Sequence, residues 1–86
     1  MHTDNLDKII STIPQGYSEV VFRGKKYGLS RTDFSDGRST KVYAEERGGN
    51  DHISFNYYRT SKENLLKTCE MPEEKVLTFL EEFEKL

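Results

Sequence analysis

The segment from Tyr17 to Tyr58 constrains the fold most, because its pattern is that of short strands joined by tight turns. Runs of β-branched and aromatic residues are separated by three turn signals, Gly24-Lys25-Lys26, Ser35-Asp36-Gly37 and Gly48-Gly49-Asn50-Asp51. The pattern predicts four strands, at residues 18–23, 27–33, 39–47 and 52–59. Connections this short favour an antiparallel meander, since parallel neighbours need crossovers of about a dozen residues or more.

Alternation is clearest in the fourth predicted strand. One side of it carries Ile53, Phe55 and Tyr57, and the other side carries His52, Ser54, Asn56 and Tyr58. The first set is expected in the core. The second set is expected on a face of the sheet that points away from the core.

Apolar residues at helical spacing precede this segment. The stripe consists of Leu6, Ile9, Ile10 and Ile13, which fall at positions i, i+3, i+4 and i+7. It predicts a helix of about three turns that has Thr3 or Asp4 as its N-cap and ends before Pro14. So short a helix needs to dock its apolar stripe to be stable.

A second helical stripe lies near the C-terminus and consists of Val76, Phe79, Leu80 and Phe83. The predicted helix has Pro72 at its first position, Glu73 and Glu74 in its first turn and Lys85 near its end. Each helix has one apolar stripe, and the fourth strand has one apolar side. Both helices are therefore expected on the same face of the sheet.

Residues 60–70 allow two interpretations. Thr60-Ser61-Lys62-Glu63 matches a capping box that could begin a short helix. The same segment could instead return into a fifth strand from Leu65 to Cys69, which we favour slightly. The predicted fold is thus α+β: a single domain of residues 1–86 with an N-terminal helix, a four- to five-stranded antiparallel meander and a C-terminal helix.

Composition limits the classes of protein to which the chain can belong. Its 86 residues suffice for one hydrophobic core, and an aromatic content of 12% argues against disorder. Cys69 is the only cysteine, so an intramolecular disulfide is excluded and a cytoplasmic location is expected. The sequence has no signal-peptide pattern and no run approaching the roughly 20 apolar residues of a membrane span. No membrane partner is expected.

Charge and motifs argue against most common chemistries. Residues 14–62 hold nine Lys/Arg and six Asp/Glu, whereas residues 63–86 hold three Lys/Arg and seven Asp/Glu. The basic excess of residues 14–62 is far below that of a dedicated DNA-binding domain. Neither G-x-x-x-x-G-K-[ST] nor G-x-G-x-x-G occurs, and one Cys with two His cannot assemble a usual zinc site within one chain. We therefore expect no metal, no cofactor and a non-enzymatic role.

Cys69 is the one candidate catalytic residue. It lies three positions before Pro72, and free N–H groups at a helix N-terminus stabilise a thiolate. One hypothesis is therefore a thiol-dependent or redox-sensing activity, with His52 as base if the fold brings it close. The alternative, which we favour, is that Cys69 is a small buried hydrophobic side chain.

The sheet face opposite the core is the second candidate site. Extending the alternation places basic and aromatic side chains there, and the binding candidates are Arg23, Lys41, Tyr43, Arg47, His52 and Tyr58. Single-stranded nucleic acids bind such faces, because phosphates meet Lys/Arg while bases stack on Tyr. A protein partner is the first expectation and RNA the second. The alternative is a solvated face whose tyrosines reflect strand propensity, and both a monomer and a homodimer are compatible with open sheet edges.

Six short segments carry a family resemblance: Gly16-Tyr17-Ser18, Lys26-Tyr27-Gly28, Lys41-Val42-Tyr43-Ala44-Glu45-Glu46, Gly48-Gly49-Asn50, Ile53-Ser54-Phe55-Asn56-Tyr57-Tyr58 and Cys69-Glu70-Met71-Pro72. Over about residues 13–80 the chain resembles a family of short uncharacterised bacterial single-domain proteins. Some members are labelled peptide methionine sulfoxide reductase, an enzyme that works through a Cys in a Gly-Cys-Phe-Trp segment. This chain has no Trp, and Thr68 precedes its Cys. The resemblance thus carries over no catalytic residue and implies a bacterial, cytoplasmic protein of unknown function.

Overall fold

The computed structural model describes residues 3–62 and 64–85, with side chains from Leu6 onward. Within these residues the elements are α1 (Thr3–Ser11), β1 (Gly16–Phe22), β2 (Lys25–Phe34), a 3₁₀ turn (Ser35–Gly37), β3 (Ser39–Glu46), β4 (His52–Arg59), β5 (Asn64–Thr68), α2 (Glu73–Glu82) and β6 (Glu84–Lys85). The six strands form one antiparallel sheet in the order β5-β4-β3-β2-β1-β6. The predicted α+β class with an antiparallel sheet is confirmed.

The meander from β1 to β4 agrees with the prediction, and its strand ends lie within two residues of the expected ones. Residues 64–68 form β5, which pairs with β4, so the segment after β4 follows the strand interpretation. Glu63, the last residue of the proposed capping box, lies outside the described residues. The N-cap assigned to Thr3 or Asp4 also rests on side chains outside them.

Helix α2 begins one residue later than predicted. Pro72 has extended backbone angles, φ −64° and ψ 143°, and precedes the first helical residue, Glu73. The proline ring fixes φ but leaves ψ free to follow the incoming chain. Pro72 therefore occupies the N-cap, and the two acidic residues after it lie in the first turn, where the helix dipole favours negative charge.

A sixth strand follows α2 where the sequence predicted more helix. The helix ends at Glu82, and the amide of Phe83 donates to the carbonyl oxygen of Phe79 at 2.9 Å. Glu84 and Lys85 then pair with β1. Phe83 keeps the helical spacing of the apolar stripe and packs against the core with extended backbone angles, so the stripe does not reveal this exit. The predicted count of four to five strands and the helical position of Lys85 are corrected accordingly.

Both helices bury side chains in one core cluster, and they contact each other. The cluster consists of Leu6, Ile10, Ile13, Val20, Phe22, Tyr27, Leu29, Val42, Ala44, Ile53, Phe55, Tyr57, Val76, Phe79 and Leu80. At its centre the rings of Phe22, Tyr27 and Phe79 have centroids 5.0 to 5.8 Å apart. In residues 3–62 and 64–85, neither helix covers the opposite face of the sheet.

A polar network fastens α1 to the sheet. Arg31 donates from Nη1 to the carbonyl oxygens of Ile10 and Ile13, at 3.2 and 2.6 Å. The Ile10 oxygen also accepts the amide of Ile13, so Arg31 adds a second hydrogen bond at the C-terminal end of α1. Its Nε and Nη2 bind the carboxylate of Asp33, both at 3.0 Å. Thr40 donates to the same carboxylate at 2.8 Å. The hydrogen bonds from Arg31 lower the pKa of Asp33 below its usual value.

Candidate functional site

The sheet face that points away from both helices is the candidate site, and we call it the open face. Residues paired between neighbouring strands lie beside each other on one face, so the pairing arranges the side chains in rows. The first row is Phe34, Ser39, Tyr58 and Leu65; the second is Thr32, Lys41, Asn56 and Lys67; the third is Tyr17, Ser30, Tyr43 and Ser54. We call these three rows the basic-aromatic half. Beyond it lie Glu19, Gly28, Glu45 and His52, and then Val21, Lys26 and Arg47.

Exposed aromatic rings lie in the first and third rows. The exposed fractions are 62% for Tyr17, 50% for Phe34, 39% for Tyr43 and 36% for Tyr58. Leu65 adds an aliphatic side chain at 39%. Single exposed apolar residues are ordinary on a protein surface, but five large ones on one face of a small sheet mark that face as a candidate contact site.

A row of lysines separates the two aromatic rows. Lys41 and Lys67 are both exposed, and they lie on β3 and β5 with Asn56 of β4 between them. The basic-aromatic half contains no acidic residue. The exposed acids of α2 lie on the helix side of the sheet, at Glu73, Glu74, Glu81 and Glu82. Charge is thus separated across the sheet, although the whole chain carries a formal charge of −2.

A groove adjoins the third row. Arg47 donates from Nη1 to Glu19 Oε2 at 2.7 Å and to the Tyr17 hydroxyl at 3.0 Å. These bonds hold the tyrosine ring over Gly28, where a Cβ atom would stand 2.5 Å from the hydroxyl oxygen. The groove between Tyr17 and Tyr43 has a volume of about 370 Å³. Both rings contribute to its lining, together with Gly28 and Ser30.

His52 lies at the margin of the basic-aromatic half. Its ring centroid is 6.0 Å from that of Tyr43, and the two planes are tilted by 30°. On the neighbouring strand it faces Glu45. Four predicted candidates, Lys41, Tyr43, His52 and Tyr58, therefore share one surface, and Arg47 closes the adjoining groove.

Arg23 does not lie on this surface, which corrects its predicted placement. It occupies the turn between β1 and β2 with φ 53°, so the strand alternation no longer governs its direction. Its guanidinium binds the carboxylate of Glu82 on α2, at 2.9 Å from Nε and 3.2 Å from Nη2. These hydrogen bonds lower the pKa of Glu82.

Cys69 lies on the open-face side of the sheet and is partly buried. Its amide donates to the carbonyl oxygen of Ser54 at 3.1 Å, which extends the third row to the residue that follows β5. Its thiol accepts a hydrogen bond from Asn56 Nδ2 at 3.6 Å. Helix α2 packs on the other side of the sheet. Thiol chemistry at Cys69 stays a prediction. His52, the base proposed for it, lies beside the ring of Tyr43.

Three aromatic or basic residues of the basic-aromatic half were not among the predicted candidates. Tyr17 lies just before the predicted start of β1, and Phe34 lies just after the predicted end of β2. Lys67 lies in β5, whose register was left open. Extending the strand alternation by one residue would have revealed Tyr17 and Phe34, since both follow the two-residue period of their strands. Lys67 required the pairing of β5 with β4.

Among the described residues, no group of three or more His, Cys, Asp or Glu side chains is placed to hold a metal ion. In residues 3–62 and 64–85, no helix combines the length and the apolar character that crossing a membrane requires. No family model, curated protein or solved structure matches this chain.

Proposed function

We propose that this protein is a non-enzymatic binding module that meets an anionic macromolecular partner with its open face. The observation that carries the proposal is the separation of charge across the sheet. Lys41 and Lys67 lie in a half of the face that lacks acids, while Glu73, Glu74 and Glu81 are exposed on the helix on the other side. Such a distribution attracts a negatively charged partner to one face and repels it from the other.

The exposed rings supply the affinity that charge alone does not give. Covering a ring that is about half exposed removes on the order of 100 Å² from water, which stabilises a complex by roughly 2 kcal/mol. Phe34 and Tyr17 are the strongest cases, because at least half of each side chain is exposed. A face that joins such rings to free ammonium groups can both attract and hold a partner.

The polar contacts of the face favour binding over catalysis. The carboxylate of Glu19 is engaged by Arg47, and the thiol of Cys69 is engaged by Asn56. Among the described residues, no nucleophile is hydrogen-bonded to a base on this face. With a single cysteine, the proposed module fits a reducing compartment such as the cytoplasm.

Amide-resolved NMR titration tests the proposal. The probes are poly-L-glutamate and a short oligouridylate as polyanions, with poly-L-lysine as the opposite charge. Both polyanions are expected to shift amides of β3, β4 and β5, whereas poly-L-lysine is expected to shift those of α2. Lys41→Glu should weaken polyanion binding.

Lys8→Glu is the matched control, because it makes the same charge change on the exposed side of α1. It should leave polyanion binding at the open face nearly unchanged. The proposal is overturned if neither polyanion shifts open-face amides. It is also overturned if Lys8→Glu weakens binding as much as Lys41→Glu, since the surface would then respond to net charge alone.

A further inference from the structure

We propose that the open face binds a single-stranded nucleic acid, whose bases stack on the aromatic rows while its phosphates meet the lysine row. This inference rests on the proposed function and names its partner. It is motivated by the order of the rows, in which aromatic rings lie on both sides of Lys41 and Lys67.

The spacing of the rows suits alternating bases and phosphates. Strands lie about 4.8 Å apart and residues on one face repeat about every 7 Å along a strand. Within the third row, Tyr17 and Tyr43 are two strands apart, so their Cα atoms are separated by about 10 Å. Lys41 lies on the same strand as Tyr43, one row away. A base on the ring therefore places its phosphate within reach of the ammonium group.

The groove beside the third row provides a place for one base. Tyr17 and Tyr43 both line it, together with Gly28 and Ser30. Its lining also includes Arg47, Glu45 and Glu46, so the groove suits the uncharged base and not the phosphate. Because Gly28 has no side chain, the ring of Tyr17 can lie over its backbone, and the groove beside that ring is left for a bound flat group. The hydroxyl of Ser30 can donate to or accept from a base edge.

The centre of the basic-aromatic half distinguishes a nucleic acid from a protein partner. The middle of a protein interface is depleted of charged residues and of lysine in particular. Here the middle row contains Lys41, Asn56 and Lys67, and the rings lie to either side. Charge at the centre with stacking surfaces around it is the arrangement that a phosphate chain with unpaired bases requires. A duplex would leave the rings without bases to stack on, since its bases are paired inside.

Fluorescence anisotropy with four ligands of equal length tests the inference. The ligands are an oligouridylate, an oligothymidylate, an abasic deoxyribose-phosphate oligomer and poly-L-glutamate. The two oligonucleotides with bases are expected to bind at least 10-fold more tightly than the other two, because stacking contributes on the order of 5- to 100-fold per base. A preference between uridylate and thymidylate reports on the 2′-hydroxyl and the C5 methyl group together, and a preference in either direction supports the inference.

Two substitutions separate stacking from charge. Tyr43→Leu should weaken oligouridylate binding roughly 5- to 100-fold and leave binding of the abasic oligomer unchanged. Lys41→Gln should reduce the slope of log Kd against log salt concentration by about 0.7, the value for one phosphate of a single strand. Lys8→Gln is the charge-matched control and should leave that slope unchanged. NMR spectra of each variant report whether the fold is kept.

Each failure has a distinct meaning. If the abasic oligomer or poly-L-glutamate binds as tightly as oligouridylate, bases are not recognised and the inference is overturned, whereas a face for an acidic protein remains. If Tyr43→Leu weakens all four ligands equally, stacking is again excluded. If none of the four ligands binds, the inference and the proposed function both fail.

Discussion

The ring of Tyr17 lies directly over Gly28, so closely that a Cβ atom at position 28 would stand 2.5 Å from the tyrosine hydroxyl oxygen. The same hydroxyl accepts a hydrogen bond from Arg47 at 3.0 Å. Tyr17 is thus 62% exposed and yet held in one position. An exposed ring fixed in this way loses little further conformational entropy when it binds a ligand.

Gly28→Ala is expected to move the ring and keep the fold. The atom that the new methyl group meets is the far end of a flexible side chain, so Tyr17 should swing away while β2 stays in place. The free energy of unfolding should change by less than about 1 kcal/mol, since alanine in a strand costs no more than glycine. Urea unfolding measures this, and NOEs between the Tyr17 ring and residue 28 report the displacement.

Oligouridylate binding should weaken in Gly28→Ala as it does in Tyr17→Leu. Ser11→Ala, at an exposed position at the end of α1 on the other side of the sheet, is the control and should leave both the ring position and oligouridylate binding unchanged. A decrease of several kcal/mol in the free energy of unfolding of Gly28→Ala would contradict the prediction, because β2 and not the Tyr17 ring would then have moved.

Arg31→Met is expected to lower the free energy of unfolding by about 2–3 kcal/mol. The change leaves the carboxylate of Asp33 without its ion pair and removes the donor for the carbonyl oxygens of Ile10 and Ile13. Urea unfolding measures the loss, and hydrogen exchange should show α1 opening first. Arg38→Met is the matched control, because Arg38 is exposed in the turn before β3. Its free energy of unfolding should stay within about 0.5 kcal/mol of that of the unsubstituted protein. Equal losses in the two variants would refute a specific role for Arg31.

This network also shows why the sequence predicted the strands better than their inward faces. The fourth strand was predictable because its apolar residues fall on one side, from Ile53 to Tyr57. In β2 the inward positions after Leu29 are Arg31 and Asp33, which look like surface residues in the sequence. Their partners are the end of α1 and Thr40, and contacts between distant segments leave no local pattern.

The candidate site was predictable in part for a similar reason. Alternation placed Lys41, Tyr43 and Tyr58 correctly, because all three lie inside regular strands. It failed for Arg23, since a positive φ in a turn ends the two-residue period. The order of rows needed the strand register, which the pairing of β4 with β5 provides and composition does not.

Asp51→Asn is expected to destabilise the protein in a pH-dependent way. Hydrogen bonding to Lys75 is the main cause of the lowered pKa of Asp51, and a hydrogen bond from the buried Tyr27 contributes. Because the folded pKa is lowered, the contribution is fully present above the unfolded carboxyl pKa of roughly 4 and is lost as pH falls. Urea unfolding should show a loss of about 1 kcal/mol at pH 7 that shrinks below pH 4. If the difference in unfolding free energy between the two proteins stays constant down to pH 2, the Asp51 carboxylate is not the cause of the loss.

Tyr27 is expected to ionise late. Burial is the main cause of its raised pKa, the hydrogen bond to Asp51 adds to it, and the resulting value is about 12. A raised pKa means that this contribution to stability is fully present below pH 10 and is lost as pH rises from 10 through 12. Ultraviolet titration should show one tyrosine step near pH 12 that Tyr27→Phe removes. If Tyr27→Phe instead removes a tyrosine step near pH 10, the hydroxyl of Tyr27 is not buried.

Alkylation of Cys69 is expected to report on occupancy of the open face. The thiol is partly buried and accepts a hydrogen bond from Asn56, so it should react more slowly in the folded protein than in urea. Saturating oligouridylate should slow it further, because Cys69 lies at the end of the third row beside Ser54. Asn56→Ala should speed the reaction in the free protein by uncovering the sulfur.

The measurement is the rate of iodoacetamide labelling, followed by mass spectrometry with and without each ligand. Poly-L-lysine is the control, since a polycation should stay on the acidic helix side and leave the rate unchanged. A thiol that remains inert until the protein unfolds would be a core residue, in line with the favoured interpretation of the sequence. If saturating oligouridylate does not change the labelling rate of the folded protein, the ligand leaves the Cys69 end of the third row uncovered. Its contacts in that row would then be confined to Tyr17 and Tyr43.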